Sequence, residues 1–229
     1  MRFYFLSPTS ATAKNISRLR KSSYDIRRII IESISSKTLD KLIVLCNGTP
    51  DDRVLGVLAY HLNGSTVVGI AKPNEKRLGA ISQLTTFLNS SAPLRFKKFM
   101  FLIDQETDLL DRLFINAEAI MKNSGITISV AEPFDRGKSY DCSVIGGREF
   151  EVVIVVNGLD DVLTTNHCIE DHLAKAKGLR VRGKSKDAWT ALSSEEQRLV
   201  FRDLKGSIRT LEQLFPQQVH GCRILERSR

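Results

Sequence analysis

Lys98-Phe99-Met100-Phe101-Leu102-Ile103-Asp104-Gln105-Glu106-Thr107-Asp108 is the stretch that decides the fold class. Five consecutive apolar residues with no polar alternation describe a strand covered on both faces, and the run stops abruptly in acids. Directly afterwards, Leu109, Leu110, Leu113, Phe114, Ala117, Ile120 and Met121 recur at helical spacing, and Asn123-Ser124-Gly125 supplies a stop. Two other runs share the buried-strand character: residues 41–46 (KLIVLC) and 151–156 (EVVIVV). Between the first and the central run the spacing predicts a helix opened by Asp51 and Asp52, a strand over 66–70 and a second helix over 75–88. After the 109–122 helix come a strand over 126–130 and a loop or hairpin over 137–147. The order from 41 to 156 therefore reads β-α-β-α-β-α-β, which predicts an α/β fold: a mostly parallel sheet with helices on both faces.

Outside this core, residues 3–6 form an apolar run able to add an edge strand. Ile26, Ile29, Ile30 and Ile34 predict an amphipathic helix over 24–35. After residue 156, a helix is expected over 166–177, then a basic hinge (Lys175, Lys177, Arg180, Arg182, Lys184, Lys186). Ser193-Ser194-Glu195-Glu196 opens another helix, and 206–215 adds a turn or two. The resulting organisation is a basic N-terminal extension over 1–40, an α/β core over 41–174 and a basic, mainly helical C-terminal extension over 175–229.

Charge follows the same division. The chain of 229 residues carries a net +8. Residues 1–40 hold 8 basic and 3 acidic side chains, residues 41–174 hold 13 and 17, and residues 175–229 hold 13 and 6. A mildly acidic centre between basic flanks suits a cation-assisted site that handles a polyanion. The longest apolar runs are strand-sized, far short of the roughly 20 residues a membrane helix requires. The apolar stretch near Met1 is too short for a secretory signal, so a cytoplasmic chain without membrane contact is expected. Cys46, Cys142, Cys168 and Cys222 are widely spaced and form no disulfide framework, and His167, Cys168 and His172 match no zinc spacing. No GxxxxGK[ST] loop occurs.

In parallel sheets, ligands bind beyond the C-terminal ends of the strands. Three strands end suggestively here: the first in Asn47-Gly48-Thr49-Pro50-Asp51-Asp52, the central one in Asp104-Gln105-Glu106, and the last in Asn157, Asp160 and Asp161, followed by Glu170 and Asp171. Several carboxylates sharing a small volume need a compensating cation, and oxygen donors of this kind suit Mg²⁺ or Mn²⁺.

This layout resembles the Toprim domain of small primases, topoisomerases and OLD-type nucleases, and in particular the small stand-alone Toprim-like proteins of archaea and bacteria. Residues 45–52 stand where that family carries V-E-G-x-x-D, Asp104-Gln105-Glu106 stands at its D-x-D, and Ile169-Glu170-Asp171-His172-Leu173 looks like a later E-D on a helix. The resemblance covers residues 41–174. It implies metal-dependent cleavage of nucleic-acid phosphodiesters, with Asp104, Glu106, Asn47 and Asp51 as the catalytic positions. Asp104, Glu106, Glu170 and Asp171 would be the ligands of Mg²⁺ or Mn²⁺. Two departures stand out: Asn47 replaces the family's Glu, so Asp51 would have to supply the missing charge, and D-x-E replaces D-x-D. The DNA or RNA backbone would be gripped by Arg18, Arg20, Lys21, Arg27 and Arg28 on one flank and by Arg180, Arg182, Lys184 and Lys186 on the other. The alternative is a non-catalytic Toprim-like module that binds nucleic acid or protein. Either reading is compatible with a homo-oligomer.

Overall fold

The computed structural model describes residues 1–5, 29–33, 39–46, 50–62, 66–71, 84, 88, 96–144 and 146–227. Eight strands form one sheet: β1 (Arg2–Phe5), β2 (Ile29–Ser33), β3 (Lys41–Leu45), β4 (Val67–Ala71), β5 (Lys98–Asp104), β6 (Ile126–Phe134), β7 (Gly137–Val144) and β8 (Glu149–Asn157). Their spatial order is β2-β1-β4-β3-β5-β8-β7-β6. The six strands from β2 to β8 are parallel, while β7 and β6 complete the sheet antiparallel. The described helices are α1 (Asp51–His61), α2 (Leu110–Asn123), α3 (Ile169–Lys177), α4 (Ser185–Thr190), α5 (Ser194–Leu204), α6 (Ile208–Leu214) and α7 (Pro216–Glu226).

Both faces of the sheet are covered, and the period-2 alternation of a strand sorts its residues between them. Met100, Leu102, Val153 and Val155 pack with α1, α3 and the C-terminal helices, whose contributions include Trp189, Phe201, Leu211, Phe215 and Leu225. Phe99, Phe101, Ile103, Val152, Ile154 and Val156 pack on the other face with α2 and with Leu84 and Leu88, which are helical and buried as the 75–88 reading expects. The helices after residue 175 thus share one core with the sheet.

Three readings of the sequence are corrected. Residues 29–33 are a strand, not part of a helix over 24–35. The consecutive isoleucines 29–31 are β-branched and favour extended backbone, and a run this short does not separate the two periods. The run near the N-terminus is not at an edge, because β1 lies between β2 and β4. The strand after α2 is not a parallel member of the sheet; with β7 it forms an antiparallel hairpin that turns at Asp135-Arg136. Five of the nine β6 side chains are exposed in one unbroken run, so no buried stripe marked it as a long strand.

The last helix, α7, packs directly on β5 and β8. Pro216 occupies its first turn, where a missing N–H costs nothing, and Val219, Cys222 and Leu225 make its buried stripe. It crosses the sheet at very close range at Gly221. A Cβ there would lie 2.6 Å from Val155 Cγ2 and 2.9 Å from Met100 Sδ. Gly221→Ala should therefore lower stability by roughly 1–2 kcal/mol, since overpacking against a stiff β-branched neighbour outweighs the gain in helix propensity. Urea denaturation monitored by circular dichroism measures it; a more stable variant would refute this close approach.

Candidate functional site

From β3 the chain passes through α1 to β4 on one side of β3, then returns to β5 on the other. The strand order therefore reverses between β3 and β5, and a parallel sheet opens a crevice at the C-terminal edge of such a switch point. Asp51, in the first turn of α1, and Asp104, the last residue of β5, flank it. Register adds a third residue. Asp104 pairs across the ladder with Asn157, the last residue of β8, and both project to the face covered by α1, α3 and α7.

The Asn157 side-chain amide binds the two acids together: Nδ2 donates to Asp51 Oδ1 at 2.8 Å and to Asp104 Oδ1 at 2.9 Å. Asn157 is wholly buried, and its own Oδ1 accepts from Gln218 Nε2 of α7 at 2.8 Å. The backbone N–H of Ile169, at the start of α3, also donates to Asp104 Oδ1, at 3.3 Å. Two helix N-termini thus meet at the crevice, where their partial positive charge suits carboxylates.

The amide brings no charge to offset those of the acids. Burial pushes the Asp104 carboxyl up to about 7, the charge of Glu170 adds to the rise, and the bonds from Asn157 and Ile169 oppose it. Asp51 is raised well above the usual carboxylate range, first by burial and then by the charges of Asp104 and Glu170. Glu170 is buried and likewise raised; a bond from the Cys168 thiol and the charge of Lys186 pull the other way. The three acids form one electrostatic unit. Burial keeps the Cys168 thiol protonated, which removes it as a nucleophile.

The other acids expected at the site have different places. Glu106 is exposed, with φ +56, in the left-handed region that side chains seldom occupy. Its backbone pairs in both directions with His167, at 2.8 and 2.9 Å, so it anchors the loop before α3. Asp171 is fully buried, but its Oδ2 accepts from the Leu159 N–H at 3.2 Å and contacts His167 Nδ1 at 2.8 Å. Arg180, Arg182, Lys184 and Lys186 are all exposed on the segment that leads into and opens α4, and of the four it is Lys186 that stands within electrostatic reach of Glu170. Asn47 and the basic residues Arg18, Arg20, Lys21, Arg27 and Arg28 lie outside the described residues.

Several participants are not anticipated by the sequence. His172 is fully buried; its Nδ1 meets Leu214 O at 2.6 Å and its Nε2 accepts from the Gly158 N–H at 3.2 Å. Burial lowers it to about 4, so it serves as a neutral post under the 157–159 turn. Gln217 Nε2 donates to the Gly158 carbonyl at 3.0 Å. Arg136, from the β6–β7 turn, is buried and bonds both Asp160 and Gln105. Gly158 has φ +125, and a Cβ there would come within 2.7 Å of His167 Cβ, so the turn and the loop before α3 touch backbone to side chain. The Asp135-Arg136-Gly137 turn and the helical spacing after Pro216 were the available signals.

Among the described residues no three His, Cys, Asp or Glu side chains stand as a ready set of metal ligands, and no helix is long and apolar enough to cross a membrane. No family model matches the chain, and neither the curated proteins nor the solved structures contain a match to it. The site's own chemistry is therefore what bears on function.

Proposed function

We propose that this protein hydrolyses nucleic-acid phosphodiester bonds with the help of a divalent cation, in the manner of a Toprim-type nuclease. One observation carries the reading: Asp51 and Asp104 are drawn onto a single amide at the switch point of a parallel sheet, with Glu170 adding its charge. The donor set fits Mg²⁺ or Mn²⁺ in chemistry, because hard carboxylate oxygens whose charges oppose one another gain most from a hard cation. Asp51, Asp104 and Glu170 are the residues that would hold it. When bound, such an ion polarises the phosphate and the attacking water. Asn157, fixed by Gln218, keeps the two aspartates converged, and Ile169 N–H orients Asp104. The exposed basic side chains from Arg180 to Lys186 supply phosphate contacts beside the acids, in a form that does not depend on sequence.

A second reading is favoured by the lack of a ready three-ligand set among the described residues: a Toprim-like module that binds nucleic acid or protein without cleaving. Labelled single- and double-stranded DNA and RNA, incubated with Mg²⁺, Mn²⁺ or EDTA, separate the two. Cleavage that needs the metal and vanishes in Asp104→Ala supports the nuclease. Binding that persists in EDTA and in the variant, without cleavage under any metal, supports the module.

A further inference from the structure

The loop that leads into α3 carries a second pair of side chains, next to the acids but separate from them. His167 Nδ1 lies 2.8 Å from Asp171 Oδ2. Asp171 is fully buried, and the same oxygen accepts the Leu159 N–H at 3.2 Å. Oδ2 is already the acceptor for Leu159 N–H; with the same oxygen accepting from the ring, the proton of that contact sits on Nδ1 and Nε2 keeps a free lone pair. The imidazole is about one-fifth exposed, and Nε2 has no hydrogen-bond partner among the described residues and is not enclosed. The ring's position is set from three sides. The backbone of His167 pairs with Glu106, two residues beyond Asp104; Ile169 N–H, two residues along, bonds Asp104; and Gly158 has no side chain where one would strike His167 Cβ. A buried carboxylate that orients a partly exposed imidazole beside a cluster of acids is the arrangement of a general base with its positioning residue.

We infer that His167 is the general base of the phosphodiester hydrolysis and that Asp171 is its positioning residue; this rests on the function proposed above. Water oxygen forms the new bond to phosphorus and gives its proton to His167 Nε2. The bond from phosphorus to the leaving sugar oxygen breaks, and solvent protonates that oxygen. The imidazolium then returns its proton to solvent. The products are a phosphomonoester and a free hydroxyl, and nothing is oxidised or reduced. Asp171 holds the tautomer throughout.

The test uses the full chain and whichever labelled strand the wild type cleaves. His167→Ala should lose about 10²- to 10⁴-fold in kcat, with KM and calorimetric Mn²⁺ affinity within a factor of about three of wild type. Added imidazole should restore part of the rate to His167→Ala and none to Asp104→Ala. Asp171→Asn should lower kcat with KM kept. Nitrogen-15 spectra of wild type without substrate or metal should show His167 protonated on Nδ1 alone, a state lost in Asp171→Asn. Wild-type cleavage rates in His167→Ala would overturn the inference and leave the nuclease standing. So would a tenfold or greater loss of Mn²⁺ affinity in that variant, which would make His167 a ligand. A wild type protonated on Nε2 would overturn it too, whether or not any variant folds. A wild type that cleaves no strand under any metal would remove the nuclease reading and the base together.

Discussion

Asp104→Asn should give a protein that melts higher than wild type at pH 7 in EDTA, by roughly 5–10 °C, yet has lost cleavage by on the order of 10³-fold. The two effects have one cause. The Asp104 carboxyl sits near 7 in the folded protein against 3.8 for the free side chain, mainly because burial penalises its charged form. The folded state therefore holds this proton where the unfolded chain has released it. The resulting stability is fully present below about pH 4 and is lost as pH rises through 7, an effect on the order of 2–4 kcal/mol. His172 works in the opposite sense: its folded value near 4 adds stability that is lost as pH falls towards 4. Wild type must therefore be compared with the variant at each pH, so that the shared histidine cancels. The gap should be small at pH 4, large by pH 7 and level above it. Asparagine keeps the fold, because Asn157 and Ile169 both donate to the same oxygen, Oδ1, which an amide retains. Millimolar Mg²⁺ at pH 7 should raise the wild-type melting point by the mass action of a ligand specific to the folded state, and should leave Asp104→Asn nearly unmoved. A gap that is equal at pH 4 and pH 7, in differential scanning calorimetry, would show that burial does not hold the Asp104 carboxyl above its ordinary range.

Changing Arg180, Arg182, Lys184 and Lys186 together to Gln should weaken nucleic-acid binding by about 10²- to 10³-fold near physiological salt. Each phosphate neutralised contributes about 0.9 to the slope of log affinity against log salt for a duplex, and about 0.7 for a single strand. Four such contacts would flatten the slope by roughly 3.6 or 2.8. All four side chains are exposed, so stability should stay within about 0.5 kcal/mol of wild type. The backbone beneath them is held independently of those side chains: Thr164 pairs with Gly183, Thr165 N–H donates to Gly183 O, and Ser185 N–H donates to Thr164 Oγ1. Fluorescence anisotropy between 50 and 300 mM salt reads the slope; an unchanged slope would move the phosphate track elsewhere on the molecule.

Local periodicity made part of this structure legible in the chain. Strands β3, β5 and β8 are continuous apolar runs, and α2 has a full helical stripe, so the parallel core and the strand-end position of Asp104 were visible. Partners brought together by tertiary register were not. Asn157 stood out as one of the polar residues at a strand end, but its role as the link between Asp51 and Asp104 emerged only when the ladder placed it opposite Asp104. Gln218 was not singled out, because the helical reading stopped at residue 215, one residue before α7 begins. Glu106 and Asp171 were grouped with Asp104 through spacing along the chain. The left-handed turn at Glu106 and the bond from Leu159 N–H to Asp171 send them to other tasks.

The single amide that joins Asp51 to Asp104 also sets a timetable. Asp51 precedes Asn157 by 106 residues, and the helix that fixes Asn157 lies a further 61 along. At roughly 5–20 residues per second, a ribosome needs about 5 to 20 s between the first aspartate and the amide, and some seconds more before Gln218 arrives. During that interval the acids have no shared partner and the crevice does not yet exist. A growing chain thus lacks the converged pair of acids until β8 has been made, and the amide that holds them lacks its own support until the last helix follows.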